Sequence, residues 1–338
     1  MLALPGGVPP PTVSKVTRKT LPTESTAIPP VSAAWPVVKS ASPGYSGGGI
    51  DDPTVVAADT NGNIWIGNRG VYLTTGGDVY AGGAVSLFTS SGAAQSPGSG
   101  YDFTMNFDPV AMAIGSNHTA WFASESALGL SSSGAQASPF VTSITNPGSG
   151  NATVTQIPIP DQLESAIAID TNNNVWFTSN PLTTTVYNDL GEIDNLGGLV
   201  TDTITGGGLV NAASMSIDTA NNIWIANYNR NDLYFFFCSP DTVAAFPAGT
   251  TGITSGTALS PAAGYGNDAN ICSLGAPPSA IDSSGSLWLS GITYAISPGT
   301  LIDGGTEILG EQYVPGVTTF VGIAAPVKTP LLGPPRAP

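Results

Sequence analysis

The chain has 338 residues, of which 41% are hydrophobic and only 9% are charged, and it contains 42 glycines and 29 prolines. Long helices lose stability at each Gly and Pro, so this composition favours an all-β protein of short strands and turns. The formal net charge of -15 opposes phosphate backbones and anionic lipid surfaces, which excludes nucleic acid as an expected partner. The sequence contains no apolar run of about 18 residues, so it predicts no transmembrane segment.

The first 32 residues predict an extended arm without a core of its own, because prolines stand at 5, 9, 10, 11, 22, 29 and 30. The start MLALPGGVPPPTVSK lacks the basic-then-apolar layout of a secretory signal. The scarcity of lysine and the bias toward Ser, Thr, Asn and Gly are nevertheless typical of exported bacterial proteins. We therefore expect an extracellular or cell-surface protein whose export signal lies upstream of Met1.

One sequence motif, which we call the phrase, recurs along the rest of the chain. Its copies are VVAADTNGNIWIGN (55–68), AMAIGSNHTAWFAS (111–124), AIAIDTNNNVWFTS (166–179), SMSIDTANNIWIAN (214–227) and PSAIDSSGSLWLSG (278–291). Each copy predicts a strand, a tight turn of Asp, Asn, Gly or Ser, and a second strand built around tryptophan. The tryptophans recur every 48 to 64 residues, the size of a four-stranded blade. The pattern predicts a β-propeller of four-stranded antiparallel blades, in which each tryptophan fills the wedge between neighbours.

The segments between the copies supply the remaining strands. A third strand, a Gly turn and an irregular outer strand are predicted at 84–102 and at 191–211, and the run LYFFFC (233–238) reads as another third strand. Residues 33–45 are placed to close the ring beside VTTFVGIA (317–324). Five blades are recognisable, and 292–324 is long enough that the termini could build a sixth. The predicted propeller spans 33–326, with a tail at 327–338.

The phrase D-x-x-x-N-[IV]-W-[IF] resembles the repeats of NHL-repeat and streptogramin-lyase-like β-propellers, and TTFVGIAAPVKTP (318–330) is similar to the tail of exported bacterial members of that group. The resemblance covers roughly residues 40 to 330. It implies the propeller fold but little about activity, because propellers host lyases, hydrolases and binding modules alike.

The lyase chemistry that the resemblance implies needs residues that this chain lacks. WFASE (121–125) is similar to the WFTE element of streptogramin lyases, which use two histidines beside a glutamate. This chain contains one histidine, His118, and the repeat pattern places it in a hairpin turn. Glu125 therefore has no visible catalytic partner. No GxSxG or HExxH motif is present either.

The turn aspartates admit two interpretations. The D-x-N-x-N runs at 59–63 and 170–174 resemble the opening of a calcium loop, but the Gly and bidentate Glu that complete such a loop are missing. An aspartate that caps its own hairpin is the favoured interpretation, because Asp side chains bond backbone amides two residues on. The two cysteines, Cys238 and Cys272, are expected to be structural, either bridged or buried.

The repeat topology also predicts where a ligand binds. The chain enters the first strand and leaves the second at the end of the ring opposite the Asp turns. The resemblance to other propellers implies that a ligand binds at that end, over the central channel. The residues expected at this mouth are Asp51, Asp52, Asn68, Arg69, Asp108, Glu125, Asp161, Glu164, Asn180, Tyr228 and Arg230.

Two functional hypotheses follow from this mouth. The first is a non-catalytic, monomeric binding module, without a cofactor, for a glycan, a peptide or a surface protein. The second is a propeller lyase or hydrolase in which a divalent cation such as calcium, held by Asp51, Asp52, Asp108 and Asp161, replaces the missing histidines.

Overall fold

The structure is a computed structural model. It describes residues 45–69, 72–73, 79–80, 83–102, 109–124, 140–148, 152–159, 162–181, 189–210, 212–227, 242–247, 257–266, 271–272, 279–303, 306–320 and 324. All regular secondary structure in these residues is β-strand, as the composition predicts. The part of the chain that is described contains no helix long and apolar enough to cross a membrane.

Among the described residues, the strands form five antiparallel sheets of three or more strands that follow one another along the chain, and we call each of these sheets a blade. Blade 1 contains β1 (Pro53–Ala58), β2 (Ile64–Asn68), β5 (Ala84–Phe88) and β6 (Tyr101–Asp102), with β3 (Tyr72–Leu73) and β4 (Val79–Tyr80) as a separate ribbon between β2 and β5. Blade 2 contains β7 (Pro109–Ile114), β8 (Ala120–Ser124), β9 (Phe140–Thr145) and β10 (Thr153–Pro158). Both blades have the strand order that the repeat predicts.

The next two blades repeat the design. Blade 3 contains β11 (Gln162–Ile169), β12 (Val175–Pro181), β13 (Asp189–Ile193) and β14 (Leu199–Ile204). Blade 4 contains β15 (Ala212–Ile217), β16 (Ile223–Asn227) and β17 (Thr242–Phe246), and Tyr265 forms an isolated bridge with Val243 in the place of an outer strand. The third strand of blade 4 thus lies at β17, so the prediction of a third strand at 233–238 is wrong. That run itself is outside the described residues.

Blade 5 differs in its second half. It contains β18 (Ile271–Cys272), β19 (Ser279–Ile281), β20 (Leu287–Asp303) and β21 (Thr306–Phe320). The tryptophan strand β20 runs on for 17 residues, and its hairpin partner β21 returns to pair Thr319 with Trp288. Residues 317–320 therefore form the third strand of blade 5. Within the described residues, 292–303 and 306–320 belong to the sheet of blade 5, and the sixth blade that the two termini could build stays a prediction.

Neighbouring blades pack face to face in chain order. Four cores of buried apolar side chains lie between blades 1 and 2, 2 and 3, 3 and 4, and 4 and 5, and each contains the tryptophan of the earlier blade. The second strands β8 and β16 are buried on both faces because each face meets another sheet, which explains their nearly continuous apolar sequence. The first strands β1, β7, β11, β15 and β19 lie side by side in that order. This arrangement is a β-propeller with first strands innermost.

Candidate binding rim

The turn aspartates hold their hairpins together through both carboxylate oxygens. In blade 1, Asp59 Oδ1 accepts hydrogen bonds from the backbone N–H groups of Asn61 and Asn63, both at 2.9 Å. Asp59 Oδ2 accepts from Asn63 Nδ2 at 2.9 Å and from Trp65 Nε1 at 3.4 Å. Burial alone would raise the pKa of Asp59, but the hydrogen bonds from Asn63, Trp65 and Asn61 lower it below its ordinary value of 3.8. The prediction that this aspartate caps its own hairpin is confirmed.

The same arrangement recurs in three further blades. Asp218 Oδ1 accepts from the amides of Ala220 and Asn222, and its Oδ2 accepts from Asn222 Nδ2 and from Trp224 Nε1, the last two at 3.0 Å. Asp170 and Asp282 bind their own turns and tryptophans in the same way. The Ser284 hydroxyl, the Trp288 indole and the Ser286 amide hold the pKa of Asp282 well below its usual range. These carboxylates therefore bond groups of their own hairpins.

Side chains at the hairpin tips also connect one blade to the next. Asn173 Oδ1 of blade 3 accepts from the backbone N–H and the hydroxyl of Ser116 in blade 2, at 2.9 and 2.8 Å. Asn221 of blade 4 accepts from the Thr171 N–H of blade 3 through Oδ1 at 3.0 Å and donates to the Thr171 hydroxyl through Nδ2 at 2.7 Å. His118 of blade 2 lies 3.4 Å from Asn61 of blade 1. We call this set of contacts the hairpin rim; it places His118 at the end of the ring opposite the predicted mouth.

The opposite end of blade 1 brings four predicted site residues together, and we call this end of the propeller the mouth rim. Arg69 donates its backbone N–H to the Asp52 carbonyl at 2.9 Å, and the Asp51 N–H donates to Asn68 Oδ1 at 3.2 Å. The side chains of Asp51, Asp52 and Arg69 are exposed. Asp52 has a φ of 47°, in the left-handed region that non-glycine residues seldom adopt. Two carboxylates and a guanidinium therefore meet solvent beside the innermost strand.

Asn68 lies at the mouth rim but points into the protein. It is buried, and its Nδ2 donates to the Ala84 carbonyl at 3.1 Å and to Ser86 Oγ at 3.0 Å. Asn227 repeats this role in blade 4, with bonds from Val210 N–H and to the Gly208 carbonyl. Both residues stand three positions after the tryptophan. The spacing is visible in the repeats as IWIGN and IWIAN, and it marks a structural bond between strands that local sequence does not distinguish from a ligand contact.

A bulge recurs where the innermost strands reach the mouth rim. The pairing register shifts between Pro53 and Val55, between Pro109 and Ala111, between Glu164 and Ala166, and between Ala212 and Ser214. Bulges bend a strand and redirect the side chains beside it, and they are common next to functional sites. In blade 1 the bulge residue Thr54 donates its hydroxyl to the Pro109 carbonyl of blade 2 at 2.7 Å, which fixes the two blades to each other beside Asp52.

The other predicted site residues are only partly placed. Glu164 stands opposite Ser179, and Asn180 stands opposite Leu163, at the mouth end of blade 3. Asp108, Glu125, Asp161, Tyr228 and Arg230 lie outside the described residues, as does Cys238, whereas Cys272 belongs to β18. Their ligand-binding roles stay predictions. Within the described ranges, no three His, Cys, Asp or Glu side chains are grouped as metal ligands would be.

Comparisons with known proteins give distant structural similarities. No protein-family model and no curated protein sequence matches the chain. The solved structures that it resembles include the PQQ-bound aldose sugar dehydrogenase from Streptomyces coelicolor, at 11% identity over 79% of this chain and 82% of that chain, with a TM-score of 0.44. The gluconolactonase XC5397 from Xanthomonas campestris matches at 16% identity over 51% of this chain and 53% of that chain, with a TM-score of 0.34.

A third similar structure is PorZ, a bacterial surface component of the type-IX secretion system of Porphyromonas gingivalis. It matches at 15% identity over 73% of this chain and 32% of that chain, with a TM-score of 0.46. At these identities and TM-scores, the similarities carry no statement about activity.

Proposed function

We propose that the protein is a non-catalytic binding propeller, extracellular or attached to the cell surface, that takes a glycan, a peptide or a protein partner at its mouth rim. The observation that carries the proposal is the conformation of Asp52, which is exposed at the rim with a φ of 47°. Non-glycine residues in this region cost free energy, and such positions concentrate at ligand-binding sites. Glycine would adopt this conformation without cost, so we infer that the Asp52 carboxylate is kept there to bind a ligand.

The distribution of carboxylates supports the same site. The hairpin aspartates bind their own turns, and Glu192 is buried within β13. Asp51 and Asp52 instead face solvent together with Arg69, and they offer acceptors and donors to hydroxyl groups or to a basic peptide. We include Asp108, Asp161 and Arg230 of the neighbouring blades in this proposed surface.

The test compares Asp52→Gly with the unmodified chain on glycan and peptide arrays. Glycine adopts a positive φ without cost, so this change removes the carboxylate and leaves the backbone at least as stable. Because a charge-assisted hydrogen bond is lost, retention of the ligand should fall by about tenfold or more. The change Asp202→Asn on the outer strand of blade 3 is the matched control and should leave retention unchanged. Equal retention by Asp52→Gly and the unmodified chain would reject the site.

The same arrays address the cation-dependent enzyme hypothesis. We expect retention to survive dialysis against EDTA, because the proposed contacts are hydrogen bonds made by the protein itself. Retention that disappears with the chelator and returns with calcium would instead identify the rim carboxylates as cation ligands.

A further inference from the structure

The hairpin of blade 1 contains the one Asn–Gly pair of the sequence, Asn61–Gly62. The backbone nitrogen that follows an asparagine can attack the carbonyl carbon of the asparagine side chain, and a Cβ on the following residue hinders this attack. Glycine has no Cβ, so the nitrogen of Gly62 approaches the Asn61 side chain without this obstacle. The pair is therefore a place at which a side chain can react with its own backbone.

The side chain of Asn61 is exposed and loosely held. Its Nδ2 lies 3.4 Å from His118 Nδ1, which is long for a hydrogen bond. The neighbouring Asn63, in contrast, donates from Nδ2 to Asp59 Oδ2 at 2.9 Å. Water can therefore reach the Asn61 side chain, and ammonia can leave it.

The folded turn restrains the other reacting group. The Gly62 N–H donates to the Asp59 carbonyl at 3.0 Å, and the Asn61 N–H donates to Asp59 Oδ1 at 2.9 Å. A nitrogen whose hydrogen is bonded inside a turn has to lose that bond before it can attack, so the rate follows the population of the open hairpin. The bonds to Asp59 thus slow the reaction, and conditions that open the hairpin accelerate it.

Blade 3 contains the same turn without the glycine. Asn172 is exposed, and its N–H donates to Asp170 Oδ1 at 2.8 Å. The Asn173 N–H donates to the Asp170 carbonyl at 3.0 Å, in the place that Gly62 takes in blade 1. Asn173 also has the left-handed conformation of Gly62, with a φ of 64° against 80°, but it carries a Cβ. Asn172 is therefore a matched reference for Asn61 within the same molecule.

We propose that Asn61 is a modification site, at which the side chain deamidates through attack by the Gly62 nitrogen when the hairpin of blade 1 opens. The Gly62 nitrogen forms a bond to Asn61 Cγ, the bond between Cγ and Nδ2 breaks, and the Gly62 amide proton leaves with Nδ2 as ammonia. Water then hydrolyses one of the two C–N bonds of the five-membered imide, which gives an aspartate or an isoaspartate at position 61. No atom is oxidised or reduced, and water is the co-reactant.

The products change the contact between blades 1 and 2 at the hairpin rim. Both replace the amide group beside His118 by a carboxylate, so the Nδ2 donor is lost from this contact. The isoaspartate also adds a methylene group to the backbone of the turn, in which the N–H groups of Gly62 and Asn63 bond Asp59 at the native spacing. We expect this product to open the turn and to weaken the packing of blade 1 on blade 2. The site lies at the end of the propeller opposite the mouth rim, so it is separate from the proposed ligand surface.

Peptide mass spectrometry on the unmodified chain tests the proposal, after incubation in a mildly alkaline buffer that favours loss of the Gly62 amide proton. Replacement of the side-chain NH2 by OH increases the mass of the peptide, and fragmentation assigns the change to a residue. We expect conversion of Asn61 at least about tenfold faster than conversion of Asn172 in the same sample, because the barrier lacks the hindrance of a Cβ. If Asn61 keeps its amide as long as Asn172 does, the proposal is wrong.

Two reciprocal variants separate the glycine from the other properties of the turn. Gly62→Asn introduces the residue that blades 3 and 4 have in the same left-handed conformation, so the turn should be kept while the conversion of Asn61 falls to the rate of Asn172. Asn173→Gly should raise the conversion of Asn172 at least to the rate of Asn61. Unchanged conversion in either variant would refute the attack by the following nitrogen.

The consequence for the fold is measured on the modified chain, which ion exchange separates by its added negative charge. The isoaspartyl form should melt at a lower temperature than the fresh chain. The variant Asn61→Asp carries the same charge on an unaltered backbone and should melt close to the fresh chain. Equal melting temperatures for all three forms would overturn the inferred effect on blades 1 and 2.

Discussion

Asp59, Asp170 and Asp218 each bind four groups at once: two amides of the turn, the Asn side chain four residues on, and the indole six residues on. Asp282 binds the Ser284 hydroxyl, two residues on, in place of an Asn side chain. Asp59 shows the consequence in its pKa, which the hydrogen bonds from Asn63, Trp65 and Asn61 lower despite burial. The carboxylate thus links the turn to the tryptophan that fills the inter-blade core. One side chain determines both the shape of the hairpin and the position of its largest apolar group.

Replacing Asp59 by Asn tests this link through its pH dependence. The amide of Asn would direct N–H groups at the donors of Asn63 and Trp65, so we expect a loss of about 1–3 kcal/mol in the free energy of unfolding at pH 7. Because the folded-state pKa lies below the ordinary 3.8, the contribution of the carboxylate is fully present above about pH 4 and is lost as the pH falls through the folded value. The difference between Asp59→Asn and the unmodified chain should therefore shrink toward pH 3.

Urea unfolding at several pH values measures this difference, with Asp202→Asn on the outer strand of blade 3 as the control. A difference that is constant or grows as the pH falls would contradict an ionised, hydrogen-bonded Asp59.

The sequence alone was sufficient to predict that Asp59 caps a turn, because the D-x-N-x-N spacing has a local physical cause. It could not reveal that Asn68 is buried, because its burial depends on Ala84 and Ser86 of the next strand. A polar residue at the end of a strand has the same local pattern whether it binds a ligand or ties two strands together.

Two glycine segments, Gly47–Gly49 before β1 and Gly206–Gly208 before β15, show how elements fit together by backbone contact. Gly49 and Gly208 lie against the backbone of the loop that carries Gly100 or Gly264, and a Cβ at either glycine would collide with backbone atoms there. Gly47, in contrast, has open space around it, although its φ is also positive. Substitutions at Gly47 and Gly49 therefore separate the energetic cost of a positive φ from the cost of a collision with neighbouring backbone.

We expect Gly47→Ala to cost about 1 kcal/mol, from the positive φ alone. Gly49→Ala should cost clearly more, because the loop at 99–100 has to move in addition. Chemical denaturation of both variants measures the difference. Equal losses would show that the loop yields freely and that the contact is unimportant.

At the level of elements, sequence reasoning was right where the repeat is strong and wrong where it fades. The five tryptophan hairpins and the strands β5, β13 and β14 were predicted from alternation and turn residues. The third strand of blade 4 was placed at the apolar run 233–238 instead of at TVAAF in β17, because both sequences favour a strand. Only the pairing with β16 distinguishes them, and this pairing is non-local.

The molecule as a whole carries a large excess of negative charge that its few cations do not neutralise. With a formal net charge of -15, we expect self-repulsion to destabilise the folded state at low ionic strength. Adding sodium chloride to about 0.2 M should therefore raise the melting temperature, and potassium chloride should act equally, because screening does not depend on the identity of the ion. A melting temperature that falls with salt would show that attractive pairs dominate.

The number of blades was the global feature that sequence could not decide. The stretch 292–324 is long enough for additional strands, but in the structure it is mostly the long hairpin of β20 and β21. Length alone cannot separate a new blade from a lengthened hairpin. The difference lies in the pairing of Thr319 with Trp288, which brings the end of the hairpin back to blade 5.

This long hairpin also determines when blade 5 can form during synthesis. Blades 1 to 4 are each assembled from consecutive strands, so their sheets can form as the chain emerges from the ribosome. Blade 5 receives Trp288 early but its third strand only at residues 317–320, after the whole hairpin has been made. Blade 5 is thus finished only after residues 317–320 have been made, and a nascent chain stopped before residue 317 would carry a tryptophan strand that pairs with β19 but lacks its partner β21.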